Sequence, residues 1–217
     1  MTSLIGKEDA TEIARLFDAE LGGQVGVSLF TSRRGCQYCE RTEQLLREIA
    51  ALSHRIELEV IDRDEDRARA GEMAVELAPT TVIAASNGAK MHYVGMPGGR
   101  QLRSLVEDVI DASRGRAEMD EETRTTIGRV KKETVIKVFV TPFCIYSPLV
   151  VRSAHRFALE NPLIRSFMIE TLEFPEVVKR YNVLGVPRTV INEGVGFDGA
   201  PTEKAFAEKV LEASTAS

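Results

Sequence analysis

One spacing recurs in the two halves of this chain and constrains its fold more than any other feature. Cys36 precedes Pro79 by 43 residues, and Cys144 precedes Pro187 by the same 43 residues. Each cysteine follows an apolar run rich in β-branched residues, and each proline opens another such run. Because internal repeats mark duplicated structural units, the spacing predicts two similar folds in tandem.

The predicted order of elements supports this duplication. Apolar and β-branched runs predict strands, and apolar residues at helical spacing predict helices. In the first half these patterns give a helix over 8–21, a strand over 25–31, a helix over 40–52, a strand over 56–61, a charged surface helix over 64–77, a strand from Pro79 with an Asn87-Gly88 hairpin turn, and a helix over 101–112. In the second half they give strands over 135–141, 164–169 and 187–191 and helices over 149–159, 175–181 and 203–211.

The length of 217 residues suits two α/β domains of about 100 residues each. Residues 113–132 are rich in Arg, Asp, Glu and Thr and are interpreted as a linker that enters the first helix of the second half. The predicted domains are therefore residues 1–117 and 118–217.

Composition excludes several classes of function. The net charge of -5 argues against nucleic-acid binding, which needs a concentrated positive surface. No apolar run is long enough to span a membrane, and the first residues lack a basic and then apolar leader, so a cytoplasmic protein is expected. Three cysteines in a reducing compartment do not form a structural disulfide framework, so reactivity, metal binding or packing must explain them.

The motif Cys36-Gln37-Tyr38-Cys39 lies at the predicted start of a helix. Residues at i and i+3 share one face there, and the free backbone N–H groups and the helix dipole stabilise a thiolate. Cys36, the more exposed cysteine in such arrangements, is predicted to attack a substrate disulfide, and Cys39 to resolve the mixed disulfide. Arg33 and Arg34 lie just upstream and are expected to lower the pKa of Cys36 further.

Two other interpretations of the motif remain open. A structural zinc site would need four Cys or His ligands. Apart from the two cysteines of the motif, the chain offers only Cys144, His54, His92 and His155. Alternatively, the two cysteines could simply pack in the core, but this does not explain their position at the head of a helix.

The chain resembles the protein disulfide oxidoreductase family, which are glutaredoxin-like proteins with two fused thioredoxin folds. The resemblance covers nearly the whole chain. It depends on Gly35-Cys36-Gln37-Tyr38-Cys39, Ala78-Pro79-Thr80-Thr81, Gly95-Met96-Pro97-Gly98-Gly99, residues 105–109, residues 139–142, residues 152–158, residues 181–187 and Gly199-Ala200-Pro201. It implies an α/β protein with two tandem thioredoxin-like folds, each a central mixed β-sheet flanked by helices.

The resemblance also implies a substrate groove in each half. Pro79 and Pro187 are expected to follow cis peptide bonds beside their respective redox sites. The residues before them, Ala78 and Val186, are expected to offer backbone groups to an extended substrate segment as an added strand. Tyr38 is expected to line the groove of the first half.

The second half departs from the family, whose members typically carry a second CPYC motif there. The matching stretch is Cys144-Ile145-Tyr146-Ser147, and Ser147 cannot form a disulfide. Three interpretations of this possible secondary thiol site remain: a remnant in a domain for scaffolding and substrate binding, a monothiol that forms mixed disulfides, and an iron-sulfur ligand.

A second departure concerns proton transfer. Thioredoxins bury an acid on the strand before the motif, but residues 25–31 and 135–141 contain no Asp or Glu. Glu48, on the motif helix, resembles a buried acid of this family and is a candidate proton acceptor, although a surface position is commoner for glutamate.

The predicted function is dithiol-disulfide exchange on protein disulfides, with Cys36 and Cys39 as catalytic residues and no cofactor or metal. By resemblance, thioredoxin reductase is the expected electron donor and a peroxiredoxin a further partner. The alternatives are a redox-inactive binding module and an electron-transfer partner of a peroxiredoxin. The latter is similar to the N-terminal region of alkyl hydroperoxide reductase flavoproteins, whose active motif lies in the second fold instead.

Overall fold

The computed structural model describes residues 3–215. The elements are α1 (Lys7–Glu20), β1 (Val25–Thr31), α2 (Cys39–Ala50), β2 (Ile56–Asp62), α3 (Arg67–Glu72), β3 (Thr80–Ala84), β4 (Lys90–Val94), α4 (Gln101–Arg114), α5 (Glu121–Gly128), β5 (Thr134–Val140), α6 (Ser147–Glu160), β6 (Ile164–Glu170), α7 (Pro175–Arg180), β7 (Arg188–Ile191), β8 (Val195–Asp198) and α8 (Glu203–Thr215). None of these helices combines the length and apolar character needed to cross a bilayer.

The two halves have the same strand arrangement. β1 runs parallel to β2 and antiparallel to β3, which pairs antiparallel with β4. In the second half, β5 runs parallel to β6 and antiparallel to β7, which pairs antiparallel with β8. The predicted α/β architecture of two tandem thioredoxin-like folds is therefore confirmed.

A single sheet of eight strands runs through both halves in the order β2-β1-β3-β4-β6-β5-β7-β8. The halves meet where β4 pairs in parallel with β6, from Met91 opposite Ser166 to Val94 opposite Ile169. The carboxyl ends of β1, β4, β6 and β5 consequently share one edge of the sheet. Four strand spacings separate β1 from β5, so the two cysteine motifs leave this edge roughly 19 Å apart.

The two faces of the sheet are packed differently. On one face a continuous apolar core runs through both halves and includes side chains of α1, α2, α4, α6 and α8, among them Phe17, Leu105 and Phe157. The other face has two separate small clusters, one with Ala70 of α3 and one with Val177 of α7. Strands with apolar residues on both faces, such as β1, follow from this double coverage.

Three elements differ from the sequence prediction. The helix predicted over 64–77 spans only α3, because the Asp66 carboxylate caps its start by accepting from the Arg69 amide, and Ala74 lies beyond its end at φ 54°. The expected linker contains α5, which Asp120 caps. Strand β8 was not predicted, since its hairpin turn places Asn192 and Glu193 at positive φ without the usual glycine.

Candidate redox site

The first cysteine motif lies where β1 ends and α2 begins. Cys36 is in the connecting loop, and Cys39 is the first residue of α2. A disulfide bond joins the two sulfur atoms, with the Cα atoms 5.5 Å apart. Cys39 is 7% exposed and Cys36 is partly exposed. Cys36 is thus the more accessible cysteine of the pair, as predicted.

Local backbone geometry holds the motif in this position. Gly35 has φ 70°, a left-handed conformation that glycine adopts without a steric penalty. The Thr42 amide donates to the Tyr38 carbonyl, which closes the first turn of α2. The Ser32 amide lies 3.4 Å from the Cys39 sulfur and donates to it. One backbone donor therefore contacts the buried sulfur directly.

Arg33 does not have the expected role. Its guanidinium group lies 3.4 Å from the Asp62 carboxylate and 2.6 Å from that of Glu65. These two carboxylates neutralise its charge, so the upstream cation predicted to stabilise a Cys36 thiolate is already paired. Arg34 is exposed in the same loop.

Both predicted prolines follow cis peptide bonds, Ala78–Pro79 and Val186–Pro187. Their carbonyls are held in the same way: the Gly95 amide donates to Pro79 and the Gly199 amide to Pro187, each at 2.8 Å. The prolines are buried, whereas Ala78 and Val186 are partly exposed. Each half thus combines a cysteine, a helix start and a cis proline at the same edge of the sheet.

The second motif repeats this geometry with one sulfur. Cys144 lies in the loop between β5 and α6, and its thiol donates to the Val186 carbonyl at 3.6 Å. Ser147 is buried as the first residue of α6. Burial opposes ionisation of Cys144, but the neighbouring Ser147 side chain and the backbone of Tyr146 and Ser147 outweigh it and lower its pKa. Cys144 is therefore a thiol predisposed to ionise, without a resolving partner in its own motif.

Glu48 is not placed as a proton acceptor for the motif. Its carboxylate accepts hydrogen bonds from the Leu4 and Ile5 amides at 3.0 Å and from the Ser3 hydroxyl at 2.8 Å. Burial raises its pKa, but the bonds from Gln44 and from residues 3–5 prevail and lower it to about 2. The prediction was wrong because the carboxylate anchors the segment before α1.

Two acidic residues that the sequence analysis missed lie between the motifs. Glu170 ends β6, and one of its carboxylate oxygens accepts from the Glu173 amide at 2.8 Å. Glu173 accepts from the Met96 amide at 2.7 Å. Burial raises the pKa of both, and that of Glu173 reaches about 7 despite the Met96 hydrogen bond. Their sequence signal is weak, because an acid after an apolar strand usually lies at the surface.

A buried polar network joins the two halves beneath this edge. Asp108 of α4 accepts hydrogen bonds from Tyr93 of β4 and from Arg152 and His155 of α6. Arg152 also reaches Asp111 at 2.6 Å. Burial lowers the pKa of His155 to about 3, so the ring is neutral and its Nδ1 donates to Asp108. The network fixes α6, which carries the second motif, against α4.

Residues 3–215 contain no group of three or more His, Cys, Asp or Glu side chains placed to hold a metal ion. The sulfur atoms of Cys36 and Cys39 are bonded to each other. The first motif therefore has the form of a redox disulfide rather than half of a zinc site.

The sequence of this chain is similar to those of known thioredoxins. A model of the thioredoxin domain matches residues 134–212. Thioredoxin of Methanocaldococcus jannaschii is 34% identical over 76 residues, which cover 35% of this chain and 89% of that protein.

Two solved structures resemble the whole chain. A protein disulfide oxidoreductase from Aeropyrum pernix aligns with a TM-score of 0.90 and 29% identity, over 100% of this chain and 96% of that one. The NTD_N/C domain of the alkylhydroperoxide reductase AhpF from Enterococcus faecalis aligns with a TM-score of 0.87 over 95% of this chain and 99% of that one. At 24% identity, the second likeness concerns the fold alone.

Proposed function

The chain belongs to the thioredoxin family, as a protein disulfide oxidoreductase with two thioredoxin folds, and from this premise we propose that its first half exchanges disulfides through Cys36 and Cys39. The disulfide at the head of α2 is the observation that carries the proposal. Thr80 pairs with Phe30, so Pro79 lies beside the end of β1 from which the motif loop departs. An accessible sulfur, a buried sulfur and a cis proline therefore meet at one place.

The exchange takes place in two steps. In the reduced protein, the Cys36 thiolate attacks one sulfur of a substrate disulfide, forms a mixed disulfide and expels the other substrate sulfur as a thiolate. Cys39, deprotonated, then attacks the Cys36 sulfur. The mixed disulfide breaks, the second substrate thiolate leaves, and the Cys36–Cys39 disulfide forms. Two electrons pass from the dithiol to the substrate, and the reverse sequence oxidises a substrate dithiol.

The start of α2 supplies the electrostatic support for these thiolates. Its free amides and helix dipole favour negative charge, and Ser32 donates directly to the Cys39 sulfur. The paired Arg33 adds little. Backbone dipoles, rather than a side-chain cation, are thus proposed to activate the first motif.

The substrate groove of the first half is proposed to lie along Tyr38, Ala78 and Pro79. Ala78 is partly exposed next to the buried cis proline, which suits an extended segment that pairs with its backbone as an added strand. Tyr38 is the residue at the N-cap of α2, two positions after Cys36. Main-chain pairing would bind many sequences, as a general disulfide reductase requires.

The second half, proposed as residues 118–217 after a first domain of 1–117, is assigned a binding role. Val186 and Pro187 repeat the groove geometry there, but Ser147 removes the resolving thiol. Cys144 could form a mixed disulfide that a thiol from elsewhere must release.

The proposed partners follow from this chemistry. Protein disulfides are the substrates, a thioredoxin reductase is the electron donor, and a peroxiredoxin is a further acceptor. A cytoplasmic location is proposed because a reducing compartment keeps the dithiol available.

Reduction of insulin disulfides by dithiothreitol tests the proposal, with the parent compared with Cys36→Ser and, as the matched control, Cys144→Ser. Cys36→Ser is expected to lower the rate to the uncatalysed background, and Cys144→Ser to retain most of the activity. Loss in both variants would bring Cys144 into the reaction. An inactive parent would favour a redox-inactive binding module instead.

A further inference from the structure

Large apolar side chains are exposed around the second motif. Among residues 3–215 eight such side chains are exposed, and six of them lie at the edge of the sheet that carries this motif: Phe143, Ile145, Tyr146, Leu149, Leu172 and Leu184. Leu184 is 90% exposed and Phe143 79%. Exposed apolar groups concentrated in this way usually mark a binding surface, and we call these six residues the apolar patch.

The apolar patch comes from three segments: the second motif, the turn after β6 and the loop before Pro187. Three of the four members on the motif segment line one cleft at the start of α6. The turn after β6 is tied to the end of β5, since the Thr171 amide donates to the Val140 carbonyl at 2.9 Å. The loop before Pro187 is tied to the motif by the Cys144 thiol, which donates to the Val186 carbonyl at 3.6 Å. The three segments therefore lie side by side at this edge.

The fold does not require apolar residues at these positions. The equivalent positions of the first half, 108 residues earlier, are Gly35, Gln37, Tyr38, Arg41, Asp64 and Glu76. Only the tyrosine is common to both halves, although the strand arrangement and the cis proline are the same. Since the patch is exposed, it does not serve the packing of the core either. Its apolar character is thus a property of the second half that binding of a partner explains.

The main chain beside the apolar patch indicates the kind of partner. Val186 is partly exposed, and its amide donates no hydrogen bond within residues 3–215. Within the same residues its carbonyl accepts only from the Cys144 thiol, and a thiol is a weak donor. An extended polypeptide segment satisfies both backbone groups when it pairs as an added strand, and its alternate side chains are then available to the patch.

We propose that the apolar patch binds an extended polypeptide segment with large apolar side chains, whose main chain pairs with Val186. Incompletely folded proteins expose segments of this kind. The contact is non-covalent, and the bound segment covers Cys144, because the sulfur lies against the carbonyl with which the segment pairs. The proposal rests on the binding role proposed for the second half and names its ligand, but it requires neither Cys36 nor Cys39.

A short cysteine-free peptide tests the proposal in the Cys36→Ser/Cys39→Ser protein, where Cys144 is the one remaining thiol. The peptide alternates leucine, phenylalanine and valine with threonine between terminal lysines. A matched peptide has serine at the apolar positions, and a third keeps the apolar side chains but is N-methylated at its backbone amides. Fluorescence anisotropy of the labelled peptides measures affinity. The rate of Cys144 alkylation by iodoacetamide shows whether a bound peptide covers the thiol.

Two variants give the apolar patch the residues of the first half. Leu184→Glu should weaken binding of the apolar peptide about tenfold, because the burial of one leucine side chain is lost. Leu149→Arg should weaken it as well. Leu16→Glu changes an exposed leucine of α1, with the same change of net charge as Leu184→Glu, and should leave the affinity unchanged.

The apolar peptide is expected to bind and to slow alkylation of Cys144, and the serine and N-methylated peptides to bind much more weakly. The proposal is overturned by no binding, by equal affinity for the three peptides, by an unchanged alkylation rate at saturation, or by equal losses in Leu184→Glu and Leu16→Glu. Sedimentation of the protein without peptide tests a second copy as the occupant, and a dimer that Leu184→Glu dissociates would also overturn it. None of these outcomes depends on exchange at the first motif, which the insulin assay of the parent tests separately.

Discussion

The two motif segments occupy equivalent places in the fold, yet their chemistry differs. Residues 34–41 surround the cysteine pair with Gln37, Glu40 and Arg41, whereas residues 142–149 place Ile145, Pro148 and Leu149 at the matching positions, 108 residues later. The first segment is polar and holds two sulfurs. The second is apolar, exposed, and holds one. The same backbone geometry therefore serves turnover in one half and, by our proposals, ligand binding in the other.

The acids beside the motifs differ in the same way. Asp62 and Glu65 pair with Arg33 in the first half. Their counterparts, Glu170 and Glu173, are partly or fully buried at the junction with β4 and face backbone amides instead of a cation. The junction between the halves therefore buries Glu170 and Glu173 more deeply than their counterparts in the first half.

The largest effect is expected from restoring the missing thiol. Ser147→Cys in the Cys36→Ser protein should raise insulin reduction on the order of tenfold or more above background, because residues 144 and 147 hold the loop and helix positions of Cys36 and Cys39. The insulin turbidity assay measures this. The control is Ser153→Cys, six residues further along α6. No gain from Ser147→Cys would show that the second motif is disabled by something besides its missing sulfur.

The next largest effect concerns the network between the halves. Arg152→Met leaves Asp108 buried without its cation and Asp111 with only Arg156 at 3.9 Å, so the free energy of unfolding should fall by about 3–5 kcal/mol. Urea denaturation measures the change. Arg165→Met, which removes an exposed pair with Glu133, should cost less than about 1 kcal/mol. Similar costs for both variants would mean that the network does not stabilise the junction.

The acid pair predicts a pH effect confined to the second half. The pKa of Glu173 is about 7 in the folded protein and 4.5 for a glutamate in the unfolded chain. Between these two pH values the folded state therefore binds more protons at this residue than the unfolded state does. The free energy of unfolding should therefore decrease as pH rises from about 4.5 to about 7, on the order of 1–3 kcal/mol from this residue.

Glu173→Gln should remove this part of the slope, since the amide oxygen still accepts from Met96. Glu65→Gln, at the matching position of the first half, should leave the slope intact. Denaturation midpoints between pH 4.5 and 7.5 distinguish the two, and an unchanged slope in Glu173→Gln would contradict the assignment.

The smallest effect is expected at Glu48. Glu48→Gln weakens the bonds to residues 3–5 and should cost about 1 kcal/mol of unfolding free energy. Its pKa of about 2 means that the stabilisation is present above pH 4.5 and is lost as pH falls towards 2. Because the carboxylate is engaged there, the rate of insulin reduction should not change. A large loss of rate would restore Glu48 as the proton acceptor.

Local features of the fold could be predicted from the sequence, whereas the junction could not. β1 was predicted over the residues it occupies, since an apolar, β-branched run is a local signal. The pairing of β4 with β6, and the burial of Glu170 that results, depends on contacts between distant segments that no local pattern encodes.

The redox site shows the same contrast between local sequence signals and contacts with distant residues. The cysteines and the cis prolines follow from motifs and resemblance, and the structure brings them together in each half. The roles given to Glu48 and Arg33 failed because each depends on which partner a charged side chain meets. Glu48 meets the amides of residues 3–5, and Arg33 meets the carboxylates of β2 and the following turn.

Trapping the mixed disulfide tests most directly that the first half carries out the exchange. A reduced Cys39→Ser protein retains Cys36 and Cys144 but cannot resolve an adduct at the first motif. After reaction with insulin, peptide mass spectrometry should locate the substrate cysteine on Cys36. An adduct found mainly on Cys144 would contradict the account.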